Sequence, residues 1–289
     1  MTSDYTKTIE LNGISKQYKK FKLKGCTFDV PKGRIVGFIG ANGAGKTTII
    51  NAILGLIKVD SGELKIFGTD YKANQSYIRE NTAVVFDEYL FPENMTPSEQ
   101  DLMFSKIYKH WNSRYFNSTL QRFKIPTDQK TGQFSRGMKM ILSIIIAIAQ
   151  DPLLIVMDEP TTGLDIGNRS DAIDLFLEFI QDEAKTIFFS SHMINDLEQI
   201  ADYIILINNG EIIFSEEKDR LLENYGILKC GKSEFENINP KDYVNYRNSS
   251  VNCDLLVSNK EKTKWQYPDF LLEDASLEDI LLFYIKGEL

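Results

Sequence analysis

Residues 35–57 constrain this chain more than any other stretch. A five-residue apolar run, Ile35-Val36-Gly37-Phe38-Ile39, leads into Gly40-Ala41-Asn42-Gly43-Ala44-Gly45-Lys46-Thr47-Thr48, after which apolar residues fall at Ile49, Ile50, Ile53, Leu54 and Ile57. The run suits a short buried strand and the later spacing is helical, so the order reads strand, glycine-rich loop, helix. Glycines at 40, 43 and 45 let the backbone turn several N–H groups toward one anion, and the helix adds the positive end of its dipole. In such a loop Lys46 reaches the β- and γ-phosphates of a nucleoside triphosphate, and the Thr47 hydroxyl ligates Mg²⁺. The loop alone leaves open a kinase, a GTPase, a helicase or a transporter.

Downstream, Leu153-Leu154-Ile155-Val156-Met157 is a second buried strand, and it ends on Asp158-Glu159-Pro160. Adjacent carboxylates at the carboxyl end of a parallel strand lie where ligands bind in such sheets, and desolvating both for structure alone is expensive. This predicts Asp158 holding Mg²⁺ through its water shell and Glu159 orienting and deprotonating the attacking water. A third apolar strand, Thr186-Ile187-Phe188-Phe189, ends on Ser190-Ser191-His192. Of the two histidines, His110 has no motif around it, whereas His192 falls on the same rim as the carboxylates. That position favours sensing or stabilising a γ-phosphate over a purely structural role.

The remaining pattern builds around these three strands. Thr8–Tyr18 and Lys24–Val30 alternate apolar and polar residues and read as two antiparallel strands. Tyr18, where the first of them ends, is placed either to stack on a base or simply to pack. Strands follow at Ser61–Gly68 and Ala83–Phe86, the latter running into Asp87. From about 96 to 150 the strand pattern stops and Trp111, Tyr115, Phe116, Leu120 and Phe123 recur at helical spacing, which predicts a helical insertion. It closes on Phe134-Ser135-Arg136-Gly137-Met138, with Ser135 placed as the N-cap of an apolar helix over Ile141–Ala149 and an open anion site behind it. The apolar stretch Ile141–Met157 has the length of a membrane span, but Gln150-Asp151-Pro152 breaks it into a buried helix and a buried strand. Thr161-Thr162-Gly163-Leu164-Asp165 reads as a turn, Asn168–Gln181 as a helix, and Tyr203–Ile207 with Glu211–Phe214 as a hairpin across Asn209-Gly210.

Charge and cysteine usage narrow the function. A net charge of −8 supplies no basic field for nucleic-acid phosphates, so no nucleic-acid partner is expected; the five lysines between Lys16 and Lys24 read as a solvated edge. The three cysteines, Cys26, Cys230 and Cys253, lack metal spacing and read as thiols of a reducing compartment. The N-terminal MTSDYTKTIE carries no signal-peptide core, which predicts a cytoplasmic chain unless a partner holds it at a membrane.

Taken together, GANGAGKTT at 40–48, FSRGM at 134–138, LLIVMDEP at 153–160, TTGLD at 161–165 and SSH at 190–192 resemble, in order and approximate spacing, the nucleotide-binding subunit of an ABC transporter. The resemblance runs from about Thr8 to Asn224. It implies an α/β P-loop NTPase core with an antiparallel β subdomain and a helical subdomain over about 92–150, and ATP with Mg²⁺ as cofactors. It implies a head-to-tail pair with a second copy or a related ATPase subunit, in which ATP on the Gly40–Thr48 loop of one subunit meets Ser135, Arg136 and Gly137 of the other. By the same resemblance Tyr18 stacks on adenine, Asp165 lies at the dimer seam and His192 is the switch histidine. Two positions depart from the family. Asp87 stands where a glutamine is usual, and its shorter, charged side chain either binds Mg²⁺ more directly or fails to reach the attacking water. Arg136 and Met138 replace a glycine and a glutamine, and Arg136 adds a cation for the γ-phosphate.

The FDE ending at 86–88 together with SRGM is similar to the single-cassette ATPases of Gram-positive exporters of antimicrobial and amphipathic peptides, including those for phenol-soluble modulins. That likeness implies ATP hydrolysis driving export through a separate membrane permease, with the chain peripheral on the inner face of the cell membrane. A soluble ATPase uncoupled from transport, and a weakly catalytic regulatory subunit, are the competing readings. Residues 225–289 turn polar, with turns near 237–240 and 248–250, a strand at Cys253–Val257 and a capping box at Ser276 opening a last helix. We read them as a small α+β appendage to a nucleotide-binding domain over 1–224.

Overall fold

The computed structural model of the protein describes residues 5–248 and 252–287. Two compact units divide the chain, Met1–Ser215 and Glu216–Leu289. The first opens with the antiparallel strands β1 (Lys7–Gln17) and β2 (Lys22–Pro31), continues into β3 (Ile35–Ile39) and α1 (Lys46–Ile53), and returns through β4 (Ser61–Ile66) and β5 (Thr69–Asp70). Next come α2 (Gln75–Glu80), β6 (Thr82–Val85) and the helical insertion α3 (Pro97–Ile107), α4 (Ser113–Arg122) and α5 (Arg136–Ala149). The chain goes on through β7 (Leu154–Asp158), α6 (Ile166–Phe179), β8 (Thr186–Ser191), α7 (Ile194–Ile200) and β9 (Tyr203–Asn208) to β10 (Glu211–Glu217), within which the first unit ends.

Two sheets result. The outer one is antiparallel in the order β2-β1-β4-β5, and the central one has six strands in the order β10-β9-β3-β8-β7-β6. Strands β6, β7, β8, β3 and β9 pair in parallel, and the register decides where the chemistry can gather. Asp158 on β7 stands opposite Ser190 on β8, and Ile39 on β3 stands opposite Ser191. Three carboxyl ends therefore coincide, and the loops after them share one rim.

The reason these strands lie inside is their composition. Every residue of β3 and β8 is buried, as expected of a parallel strand covered on both faces. Phe28 of the outer sheet meets Phe38 and Phe188 of the central one with ring centroids 5.7 and 6.0 Å apart, so the two sheets share a core that α1 completes with Ile49, Ile50 and Ile53. Each such ring contributes about 1.5–3 kcal/mol by leaving water. Helix α5 is buried from Met140 to Ala149 and stops before Asp151, whose φ of 52° reverses the chain ahead of Pro152. Among the described residues no helix is long and apolar enough to cross a membrane.

Two elements differ from the sequence reading. Helix α6 begins at Ile166 rather than Asn168, because the Asp165 carboxylate accepts from the Asn168 N–H at 3.0 Å and so caps the helix. Among the described residues the second unit holds four strands where one was expected. It comprises α8 (Lys218–Asn224), β11 (Gly226–Gly231), α9 (Lys232–Phe235), β12 (Asn245–Asn248), β13 (Asn252–Val257), α10 (Lys260–Gln266), β14 (Leu271–Asp274) and α11 (Leu277–Lys286), with an antiparallel sheet ordered β12-β13-β11-β14. Strands β12 and β14 are only four residues long and carry Asn245, Arg247, Asn248, Glu273 and Asp274, too short and too polar for an alternation test to find. Ser276 caps α11 in a box with Asp279, and Leu277, Ile280 and Leu281 are buried. Of the turn expected at 248–250, Ser249 and Ser250 lie outside the described residues.

Candidate functional site

The loop after β3 folds back through an Ala44 N–H to Ala41 carbonyl bond of 3.0 Å and enters α1 at Gly45. Gly45 has φ 116°, and a Cβ there would stand 2.7 Å from the Phe21 ring, so only glycine fits. No side chain caps α1, which leaves its first turn facing outward as an anion site. Lys46 is 7% exposed and its Nζ donates to the Gly40 carbonyl at 2.7 Å, which holds the ammonium beneath the loop.

The carboxylates come to the same place from β7. Asp158 accepts from the Thr47 hydroxyl at 3.1 Å and from the Ser190 hydroxyl, so α1, β7 and β8 are joined by one side chain. Glu159 has φ 54°, a left-handed conformation that costs of order 1–3 kcal/mol for a non-glycine residue and is common at functional sites. Its N–H donates to the Ser190 carbonyl and hydroxyl, both at 3.2 Å, which fixes that turn. Glu159 Oε1 lies 3.5 Å from Lys46 Nζ, while Oε2 accepts from the Thr162 hydroxyl at 3.0 Å and the His192 N–H at 3.2 Å. His192 Nδ1 is 2.6 Å from the same oxygen, and a proton on Nδ1 makes it the donor of that bond. The His192 side chain remains 47% exposed, so the ring can respond to a ligand.

Lys46, Thr47, Asp158 and Glu159 line a cleft of about 590 Å³ together with Tyr18, Phe21, Ala41, Asn42, Gly43, Gly45, Thr48 and Asp87; His192 reaches it only through Glu159, and Gly40 is not in its lining. Two aromatic residues, Tyr18 and Phe21, join the polar groups in its lining, and the Phe21 ring packs against the loop at Gly45. Phe21 was missing from the sequence reading, although an aromatic three residues after Tyr18 in the β1–β2 connection was the available signal. Ser190 and Thr162 were also missed, since a hydroxyl at a strand end or in a turn has no signature of its own.

Not every expected site residue enters this cleft. Ser135 caps α5 by accepting from the Met138 N–H at 3.2 Å, and Gly137 approaches α6 so closely that a Cβ would fall 2.6 Å from the Asn168 amide nitrogen. Asn168 donates to Asp165 at 2.5 Å, and hydrogen bonds from the Asn168 backbone and side chain hold the Asp165 carboxyl below the usual range. Ser135, Gly137 and Asp165 thus form a second group built on two helix starts. Arg136 lies beside Gly163 and lines a separate cleft of about 480 Å³ with Glu93, Lys139 and Asp87. Asp87 alone of the predicted residues borders both clefts. Ala44 is buried under the loop.

Residues 23–162 match the sequence profile of the family described as ABC transporter. The chain is 31% identical over 230 residues to the ABC transporter ATP-binding protein NatA of Bacillus subtilis, covering 75% of this chain and 92% of that one. It is 33% identical over 208 residues to the bacitracin transport ATP-binding protein BcrA of Bacillus licheniformis, covering 71% of this chain and 68% of the relative. To the Nod factor export ATP-binding protein I of Rhizobium sp. it is 30% identical, covering 82% and 79%. A solved ATP-binding subunit of an ABC transporter superposes with a TM-score of 0.68 at 25% identity, covering 74% of this chain and 91% of its own. A dimeric ATP-binding cassette bound to ADP and Pi shares the fold at a TM-score of 0.64 and 24% identity, covering 72% and 98%.

Proposed function

Because the chain belongs to the ABC transporter ATP-binding family, whose cassettes hydrolyse ATP to drive transport, we propose that the cleft beneath Tyr18 and Phe21 is its ATP site and that the protein powers export through a separate membrane permease. The observation that carries this reading is the convergence of Lys46, Thr47, Asp158, Glu159 and His192 from three parallel strand ends. The amides of 40–48 and Lys46 take the phosphates, and Tyr18 and Phe21 flank the base. Thr47 and Asp158 offer hard oxygen donors 3.1 Å apart, which suits Mg²⁺, an ion that keeps several waters and takes few protein ligands. Asp87 borders the same space and is the candidate for a further donor. When bound, Mg²⁺ supplies charge neutralisation at the phosphates. Glu159 then orients and deprotonates water, with His192 holding its other oxygen.

Ser135, Arg136 and Gly137 have no part in the chain's own cleft, and a helix start with an anion site away from the loop suits phosphate brought by a second copy or a related subunit. The relative named for Nod factor export supports export as the direction, and the cargo we propose on the strength of the FDE and SRGM segments is an amphipathic or antimicrobial peptide. Attachment through the permease places the chain on the inner face of the membrane. Purified full-length protein is expected to hydrolyse ATP with Mg²⁺. Lys46→Ala abolishes that activity, and Glu159→Gln lowers kcat by about 10²–10⁴ while leaving nucleotide binding intact. A preparation indifferent to ATP and Mg²⁺ overturns the reading.

A further inference from the structure

Among the described residues two charged side chains are buried, Lys46 and Asp196. The phosphate loop accounts for Lys46. Asp196 is 1% exposed, belongs to α7, and makes its side-chain hydrogen bonds to residues outside the cleft lining. A carboxylate so placed is costly unless donors surround it, and here they come from two other segments. Thr161, itself 2% exposed, donates its hydroxyl to Oδ2 at 2.5 Å, and Arg169 of α6 donates Nε and a terminal nitrogen to Oδ1.

The positions of these partners carry the inference. Thr161 is two residues beyond Glu159, inside the turn that holds Glu159 at φ 54°. Asp196 follows His192 by four residues, in the helix that leads away from it. Arg169 lies one helical turn beyond Asp165, the cap of α6. One buried carboxylate therefore clamps the segment bearing Glu159 to the segment bearing His192, and braces both against α6. We propose that Asp196 is a positioning residue for ATP hydrolysis: through Thr161 it fixes the strained turn that aims Glu159 at His192 and the cleft. This rests on the ATPase reading of the site. It adds that the Thr161–Asp196 bond controls the chemical step and leaves nucleotide binding alone, since among the described residues the side-chain partners of Thr161 and Asp196 are each other and Arg169, none of them in the phosphate loop.

The test uses the full-length chain and compares Thr161→Val, which removes the donor at nearly constant volume, with Thr161→Ser, which keeps it. The expected result is a kcat about tenfold or more lower in Thr161→Val, an affinity for ATP within about twofold of the parent, and recovery of kcat in Thr161→Ser. Asp196→Asn is expected to follow Thr161→Val. Melting temperatures are recorded so that rates are compared well below unfolding. A Thr161→Val protein that melts earlier but keeps its kcat, or one that loses affinity and kcat in equal measure with no recovery in Thr161→Ser, overturns the proposal. An inactive parent protein removes the ATPase reading and this inference with it, an outcome distinct from both.

Discussion

Lys46, Thr47, Asp158 and Glu159 could each be assigned from neighbouring residues in the sequence, because each sits in a short motif whose spacing is set by a strand end or a helix start. Their partners could not. Glu159 is bound by His192, Thr162 and Lys46, and Asp158 by Thr47 and Ser190, contacts that join residues up to 113 positions apart. Asp87 is the residue whose chemistry the sequence left divided. It borders the cleft that holds Thr47 and Asp158 and is exposed, so its carboxylate is available to a hydrated ion there. Asp87→Gln is therefore expected to raise the Mg²⁺ concentration for half-maximal hydrolysis by about three- to tenfold, read from Mg²⁺ titrations at saturating ATP. Unchanged Mg²⁺ dependence and turnover remove Asp87 from the metal.

At the scale of single elements, propensity and caps explain most of what forms. Asn209 and Gly210 both take positive φ, as the tight β9–β10 turn requires, and the strand signals on either side were legible. The start of α5 was legible too: Ser135, read as the N-cap, does cap a helix that begins at Arg136, ahead of the apolar face from Ile141. In the second unit the element-scale contact to test is Asp242, which accepts from Lys262 at 2.9 Å, Gln266 at 2.6 Å and Tyr267 at 2.9 Å. Its carboxyl is held below the usual range, first by the Lys262 hydrogen bond and then by Tyr267 and Gln266. A depressed folded value means that the stabilisation is complete above the unfolded value, near 3.9, and is lost as pH falls through the folded one. Asp242→Asn should therefore lower stability by about 1–2 kcal/mol at pH 7, with the difference from the parent closing as pH falls below the unfolded value in denaturant melts. A difference that persists in acid would assign the loss to packing.

For the whole molecule, the separation of the two groups of site residues is the feature with consequences. The phosphate loop and carboxylates have their own cleft, while Ser135 and Gly137 stand on the start of α5 beside α6. A hydrolysis-blocked Glu159→Gln chain is expected to run at twice the parent's apparent mass on sizing columns with ATP and Mg²⁺ and to return to one chain without nucleotide. Ser135→Arg in the same background should abolish the shift, because a long side chain at the cap obstructs the approaching phosphate. Loss of the shift in Glu159→Gln itself would remove the paired-site reading. What the sequence determined by itself was local: a glycine loop between a strand and a helix, carboxylates at a strand end, a serine before an apolar helix. Each is decided by residues within a few positions of one another, where covalent spacing does the work. Only the tertiary structure decided that β7 and β8 align so that Asp158 faces Ser190, that Phe21 joins Tyr18, and that a buried Asp196 ties Thr161 to Arg169. Register and burial are properties of strands brought together across the chain, and a hydroxyl or carboxylate carries no mark of its partner until the fold supplies one.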